Sequence, residues 1–256
     1  MKTVAIGGFD GMHIAHQKIL KKVDFFIVIE KGSSITPGFD RCEYTNLGCE
    51  FMFLEKIKHL KPVEFIKILK KMNVKKIVVG DDFKFGKNRS GDISFLKKYF
   101  EVEVIKEIKI EEIGVHAHII RNFIKNDIKK ANKFLGRSYK IKGTPIKGQG
   151  LGKKELVPTI NIELFKPYVI PKEGVYITKT NNFQSLTFIG KRSTDGNFSI
   201  ETHIISDNVK MVSSENGFIE IEFIDFLREN KKFDTLSDLK RQILEDIENL
   251  NGSYCQ

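Results

Sequence analysis

GGFDGMHIAH, residues 7–16, follows directly on the apolar run Thr3-Val4-Ala5-Ile6, and together they decide how the first half of the chain is read. Thr3, Val4 and Ile6 are β-branched and the run is too short for a helix, so it predicts a strand. Gly7 and Gly8 break that strand. Met12, Ala15, Ile19 and Val23 then recur at helical spacing, which predicts a helix beginning within a few residues of Asp10. His13 and His16 are three apart and so share one face of its first turn. A strand, a glycine turn and a helix start present unpaired N–H groups and the positive end of a dipole, a setting that favours an anion. Two imidazoles placed there could donate hydrogen bonds to phosphate oxygens. The same pattern also fits an ordinary loop with two surface histidines, and spacing alone leaves both readings open.

With 256 residues the chain has room for two modest domains or one large one. A hydrophobic fraction of 41% beside 30% charged residues places it among soluble globular proteins. The net charge of +10 is compatible with nucleic acid, a membrane surface or phosphorylated small molecules. Lysines are spread along the chain, with KK doublets on most predicted helices, which fits a solvated surface better than a nucleic-acid stripe. No nucleic-acid, membrane or obligate protein partner is therefore expected. Cys42, Cys49 and Cys255 lack metal-ligand spacing and are too few for a disulfide scaffold. The N-terminal run, cut by Asp10, cannot serve as a signal peptide, and no apolar run approaches membrane-spanning length. A cytosolic protein is expected.

Up to about residue 136, strands and helices alternate. FFIVI (25–29), KIVVG (76–80) and EVEVI (101–105) are short, mostly apolar strands, with helices expected over Phe51–Lys58 and over Pro62–Met72, where Pro62 suits the first turn. Such a rhythm predicts a parallel sheet covered on both faces. Residues 120–135 predict one amphipathic helix, with Ile120, Ile124, Ile128, Ala131 and Leu135 on a single stripe and Gly136 as its stop. From Tyr139 the pattern changes to short β-type segments separated by Gly, Asn and Asp, which predicts an antiparallel sandwich or small barrel. A last helix follows, with Leu236, Leu239, Ile243, Ile247 and Leu250 inward and a capping box from Thr235 and Asp238. The boundary falls near residues 136–143, giving a first domain of 1–137 and a second of 138–256.

In the second half, KGQGLGKKELVPTIN (147–161) sets Gly148, Gly150 and Gly152 among lysines, as phosphate-cradling loops do. It is not a Walker loop, because Lys154 stands where Ser or Thr is required. Thr159 and Asn161 are two apart on an extended segment and share a face; their oxygens are hard ligands suited to Mg²⁺ carrying phosphate. A plain turn leading into an edge strand fits the stretch as well. In SIETHII, Glu201 lies opposite Ile200 and Ile204, where it fits either a general base of raised pKa or a solvent-side residue.

These pieces, in this order, resemble the bacterial bifunctional riboflavin kinase/FMN adenylyltransferases, also called FAD synthetases, over nearly the whole chain. GGFDGMHIAH is similar to that family's G-x-F-D-G-x-H-x-G-H, and VVGDDFKFGKNRSGD (78–92) to its G-x-D-F-x-F-G-x-x-R-x-G-D. FLGRSYKIKG looks like the junction, VPTIN like the kinase P-T-x-N, IETHI like the catalytic-glutamate strand, and residues 222–247 like the closing segment. The resemblance implies an α/β Rossmann-like nucleotidyltransferase domain followed by a mostly-β six-stranded barrel with a C-terminal helix. It implies ATP-dependent phosphorylation of riboflavin to FMN, then adenylylation of FMN by a second ATP to FAD with release of pyrophosphate. Thr159 and Asn161 match the Mg-ATP ligands, Glu201 the general base, and His13 and His16 the phosphate-stabilising histidines. Gly8, Phe9, Asp10, Gly80, Asp82 and Arg121 match nucleotide-site positions, and Gly148, Gly150 and Gly152 the kinase loop.

The chain also departs from the family pattern. Ala15 replaces a glycine, Leu156 another, and GKRST (190–194) lacks a usual proline. The aspartate-proline-histidine segment after the second strand is missing. VHAHIIR (115–121) stands where a Ser/Thr-rich segment is usual, so His116 and His118 would have to replace its hydroxyls as phosphate donors. Two alternatives stay open: a riboflavin kinase whose adenylyltransferase half is weak or inactive, and a non-catalytic flavin- or nucleotide-binding regulator.

Overall fold

The structure, a computed structural model, describes residues 2–147, 157–192, 195–205 and 217–253. Two compact units divide the chain: residues up to Ile120 with Phe134–Gly136, and Arg121–Lys133 with everything from Arg137 on.

The first unit contains β1 (Lys2–Gly7), α1 (Ile14–Leu20), β2 (Phe25–Glu30), β3 (Gly48–Phe53), α2 (Leu54–Ile57), α3 (Pro62–Lys71), β4 (Val74–Gly80), α4 (Ile93–Lys97) and β5 (Glu101–Ile105). A small hairpin, β6 (Lys109–Ile110) with β7 (Ile113–Gly114), precedes α5 (Ala117–Asn126) and α6 (Ile128–Leu135). The five parallel strands run in the order β3-β2-β1-β4-β5, as expected of a covered parallel sheet. Period-2 alternation divides the core between the two faces. Val4, Ile6, Ile27 and Val79 pack with Phe65, Ile66 and Leu69 of α3, whereas Ala5, Phe26, Val28 and Val78 pack with Phe9, Met12 and Leu20. Burying that many aliphatic and aromatic side chains, each stabilising by about 1.5–3 kcal/mol, fixes β1 at the centre.

The second unit holds β8 (Tyr139–Ile146), β9 (Ile160–Leu164), β10 (Gly174–Thr180), β11 (Phe183–Lys191), β12 (Phe198–Ile204), β13 (Ile219–Arg228) and α7 (Leu236–Ser253). Its six strands close into a barrel in the order β10-β11-β12-β9-β8-β13. A buried hydroxyl network of Thr178, Thr180, Ser185, Thr187 and Thr202 lies among its strands, each hydroxyl bonded to another at 2.7–3.1 Å. The Asn132 side chain ties α6 to this unit, donating to the Phe223 carbonyl at 2.8 Å and accepting from the Tyr139 N–H at 2.7 Å. α7 is held by a bidentate pair between Arg228 and the buried Asp246, at 2.9 and 2.7 Å.

Several local expectations are corrected. Phe51–Phe53 extends β3 rather than starting a helix, because these residues pair in register with Val28–Glu30; only one helical turn, α2, follows. The single helix expected over 120–135 is two, because Asp127 interrupts it and its carboxylate accepts the Lys130 N–H at 3.0 Å, capping α6. Gly136 does act as the stop, at φ +74°; a Cβ there would come within 2.6 Å of Ile14 Cγ2. Thr235 accepts the Asp238 N–H at 3.1 Å, but Asp238 reaches the Thr235 hydroxyl, at 2.7 Å, instead of its backbone. Cys42 and Cys49, for which no pairing was anticipated, form a disulfide closing a short local loop.

Candidate active sites

In the first unit the strand order reverses between β1 and β4, so a crevice is expected beyond their carboxyl ends, Gly7 and Gly80. The turn after β1 is strained: Phe9 and Met12 are held at φ +50° and +43°, either side of Gly11 at +89°. Such geometry costs of order 1–3 kcal/mol per residue and persists only where the surroundings over-determine it. Here Phe9 and Met12 are buried, and the Phe9 ring meets Phe26 edge-on at 5.3 Å and His16 at 5.1 Å. The Gly11 N–H donates to Thr36 Oγ1 at 2.8 Å, and the Gln17 amide donates to the Met12 carbonyl at 3.0 Å.

That turn delivers the two histidines. His13 is the N-cap of α1: its Nδ1 accepts from the His16 N–H at 3.4 Å, and the two rings stack at 3.5 Å with planes 19° apart. His16 is held well below the ordinary histidine pKa, first by burial and then by the positive fields of His13, Arg41 and His116. It is therefore a neutral imidazole at neutral pH. Its Nδ1 is buried with no hydrogen-bond partner among the described residues, an orphaned ring nitrogen that, in the tautomer protonated there, could donate to a ligand's oxygen. The influence of His116 on His16 also means that the GGFDGMHIAH turn and the VHAH segment converge, far apart as they are in sequence. His116 shares a hydrogen bond of 2.8 Å with Glu107 and stacks with His118 at 5.6 Å, where α5 begins. Arg121, one turn further along α5, belongs by its contacts to the other unit.

Of the remaining sequence-expected residues of this half, Gly8 and Asp10 hold the turn after β1, and Gly80 and Asp82 lie at the end of β4. The buried Asp10 carboxylate accepts the N–H groups of Ile35 at 2.9 Å, Thr36 at 3.0 Å and Ser34 at 3.4 Å. Gly8 offers its carbonyl to Arg41 at 2.7 Å. Gly80 closes β4 beside the exposed Asp82; a Cβ on Gly80 would stand 3.1 Å from Asp82 Oδ1. Two contributors escape a sequence reading. Asp81 accepts the Glu107 N–H at 3.2 Å and so anchors the segment that leads to His116. Arg41 lies buried among the turn's supports.

In the barrel, β9 runs antiparallel to β12 with Asn161 directly opposite Glu201. Directly opposed residues share a face, and Thr159, one position before β9, returns to that face by a two-residue step. Ile200, Thr202 and Ile204 are buried on one side of β12, while Glu201 and His203 alternate to the other. Glu201 accepts from the Ser199 hydroxyl at 2.8 Å and lies 3.8 Å from Arg192 Nη1, a polar rather than an apolar setting. His203 Nδ1 meets the Pro158 carbonyl at 2.7 Å, which steadies the chain just before Thr159. The Thr159 hydroxyl and the Asn161 amide oxygen are hard ligands whose chemistry fits Mg²⁺, with the Glu201 carboxylate on the same face. Gly148, Gly150 and Gly152 lie outside the described residues. Among the described residues no helix is long and apolar enough to cross a membrane.

Residues 135–253 match the riboflavin kinase family and residues 43–124 the FAD synthetase family. A bifunctional riboflavin kinase/FMN adenylyltransferase of Buchnera aphidicola subsp. Schizaphis graminum is 30% identical, covering 96% of this chain and 92% of that protein. One of the same description from Listeria monocytogenes is 28% identical over 100% of this chain and 93% of its own. A crystal structure described as a macrolide-efflux protein from Streptococcus pneumoniae shares the fold, with a TM-score of 0.83 at 23% identity over 96% of this chain and 92% of that one.

Proposed function

Since the chain belongs to the family of bifunctional riboflavin kinase/FMN adenylyltransferases, we propose that each unit carries one reaction on the residues described above. The enzyme phosphorylates riboflavin to FMN and joins FMN to AMP, yielding FAD. We assign the adenylyltransferase to residues 1–137 and the kinase to residues 138–256 of a cytoplasmic protein, with ATP as phosphoryl and adenylyl donor.

In the barrel, Glu201 takes the proton of the ribityl 5′-hydroxyl as that oxygen attacks the γ-phosphorus of ATP and ADP departs. Thr159 and Asn161 would hold Mg²⁺ against the nucleotide's phosphates. When bound, that cation supplies charge neutralisation for the transferring phosphoryl group. In the α/β unit, a phosphate oxygen of FMN attacks the α-phosphorus of a second ATP, and the bond to the pyrophosphate oxygen breaks. His13 and His16 orient and stabilise the phosphate oxygens as charge moves onto the leaving group. α1 has only seven residues, so imidazole hydrogen bonds, rather than a large helix dipole, carry this role. The VHAH segment adds His116 and His118 in place of hydroxyls.

The observation that carries the bifunctional reading is the stacked His13–His16 pair beyond the carboxyl end of β1. Purified protein incubated with riboflavin, ATP and Mg²⁺, with FMN and FAD resolved over time, tests it. FMN should rise and then convert to FAD. FMN accumulating without FAD selects the kinase-only alternative, and neither product selects the non-catalytic one.

A further inference from the structure

Arg41 is fully buried in the 3₁₀ segment Gly38–Tyr44, and it takes no part in the chemistry above. Burying a guanidinium costs several kcal/mol unless its donors are used. Here they are used to draw distant pieces of chain together. Nε donates to the Gly38 carbonyl at 3.0 Å, Nη1 to the Gly8 carbonyl at 2.7 Å and to Ser33 Oγ at 2.8 Å, and Nη2 pairs with the Glu30 carboxylate. The Phe51 ring covers the guanidinium at 5.2 Å. Burial lowers its pKa to about 10, with Asp10 opposing the shift, so it remains a cation at neutral pH.

We propose that Arg41 is a positioning residue for adenylyl transfer: its fork locks the Gly8 carbonyl to Ser33 and Glu30, fixing the peptide that seats Phe9 and, through the Phe9 ring, the His13–His16 pair. The proposal rests on the reading of this turn as the adenylyltransferase site. Three contacts in series carry it. The Gly8 carbonyl belongs to the peptide that leads into Phe9, and Phe9 stands at φ +50°, a strained conformation that persists where its surroundings hold it. The Phe9 ring in turn packs edge-on against His16, which stacks on His13. Among the described residues no other charged side chain makes the same bridge, which takes a planar fork with donors pointing in several directions. Lysine would keep the charge but not the fork.

The test compares Arg41→Lys with Ser33→Ala, which removes one arm of the fork and leaves the ion pair with Glu30. For each, kcat and KM are measured for FAD formation from supplied FMN and ATP. Riboflavin phosphorylation by the same preparation reports on the rest of the chain. Arg41→Lys should lower the FAD-forming kcat by about 10–10²-fold, the scale of an ångström-sized misplacement, with little change in KM for ATP and unchanged kinase turnover. Ser33→Ala should produce a smaller loss of kcat in the same direction. Normal kcat in both variants overturns the proposal, and so does a loss confined to KM for ATP, which would make Arg41 a ligand of the nucleotide. His16→Ala separates this outcome from failure of the site reading. If His16→Ala abolishes FAD formation and the two Arg41-fork variants do not, only the positioning role falls. If His16→Ala is also silent, the site assignment falls with it.

Discussion

Replacing Glu201 with glutamine separates a general base from a strand residue more cleanly than any other single change. Gln keeps the length of the side chain and an oxygen that can still accept from the Ser199 hydroxyl, now at 2.8 Å. It removes the negative charge 3.8 Å from Arg192 Nη1, but Arg192 already makes a bidentate pair with Asp195 at 3.0 and 2.6 Å, so no cation is left unpaired. A partly exposed ion pair of this kind contributes about 0–1 kcal/mol. The fold should therefore melt within a few degrees of the parent. Loss of the base should slow FMN formation by about 10²–10⁴-fold, which is about 2.7–5.4 kcal/mol of barrier at 1.36 kcal/mol per decade. The chemical effect exceeds the structural one by a margin that kinetics can resolve. The assay follows riboflavin to FMN at saturating ATP, with FAD formation from supplied FMN as the control on the other unit. FMN formation at the parental rate would return Glu201 to the solvent-facing strand residues. Equal loss of both activities would mark a folding defect instead.

Thr159→Ala and Asn161→Ala should each raise the Mg²⁺ and ATP concentrations needed for half-maximal kinase rate, because each deletes an oxygen ligand; riboflavin binding without ATP, followed by flavin fluorescence, should persist, and its parallel loss would make these residues structural. His16→Ala should slow FAD formation from FMN by about 10²–10³-fold, the usual cost of removing one placed donor, and leave phosphorylation intact; an unmutated rate would refute the role. His13→Ala should do the same and in addition cost about 0.5–2 kcal/mol of stability, since the histidine caps α1; a melt identical to the parent's would show that the cap contributes nothing. The His16 imidazole should titrate by NMR with a midpoint below the ordinary 6.5 of an unperturbed histidine. Because the unfolded chain then binds the proton more readily than the folded one, this group's stability contribution is complete above that value and is lost as pH falls toward the depressed midpoint. A midpoint at or above 6.5 would contradict the buried, cation-ringed placement.

What was legible in the sequence was whatever depends on near neighbours. The period-2 and 3.6-residue rhythms found the parallel sheet, the change to β-rich structure after residue 139 and α3 with Pro62 in its first turn, because burial of one face imposes those periods directly; they do not separate a closed barrel from a sandwich. They failed where a local signal was weaker than a register contact made elsewhere. Phe51–Phe53 carries apolar residues at ambiguous spacing, and only pairing with Val28–Glu30 makes it a strand. Asp127, which caps α6, sits inside a continuous apolar stripe, and that stripe conceals the helix break. Site residues divide the same way. His13 and His16 lie three apart on one turn, and Thr159 and Asn161 two apart on one extended segment, so spacing shows that each pair shares a face, while the resemblance alone suggests their roles; Glu201 opposite Asn161 needs the β9–β12 register. Asp10 matches a nucleotide-site position only through the resemblance, and its hold on three backbone N–H groups of the loop after β2 is a contact that spacing cannot foretell. Arg41 had no signal at all. A lone arginine in a polar loop looks solvated until the fold closes Glu30, Ser33 and the Gly8 carbonyl around it, and that closure is what lets one buried cation act on a turn thirty-odd residues earlier.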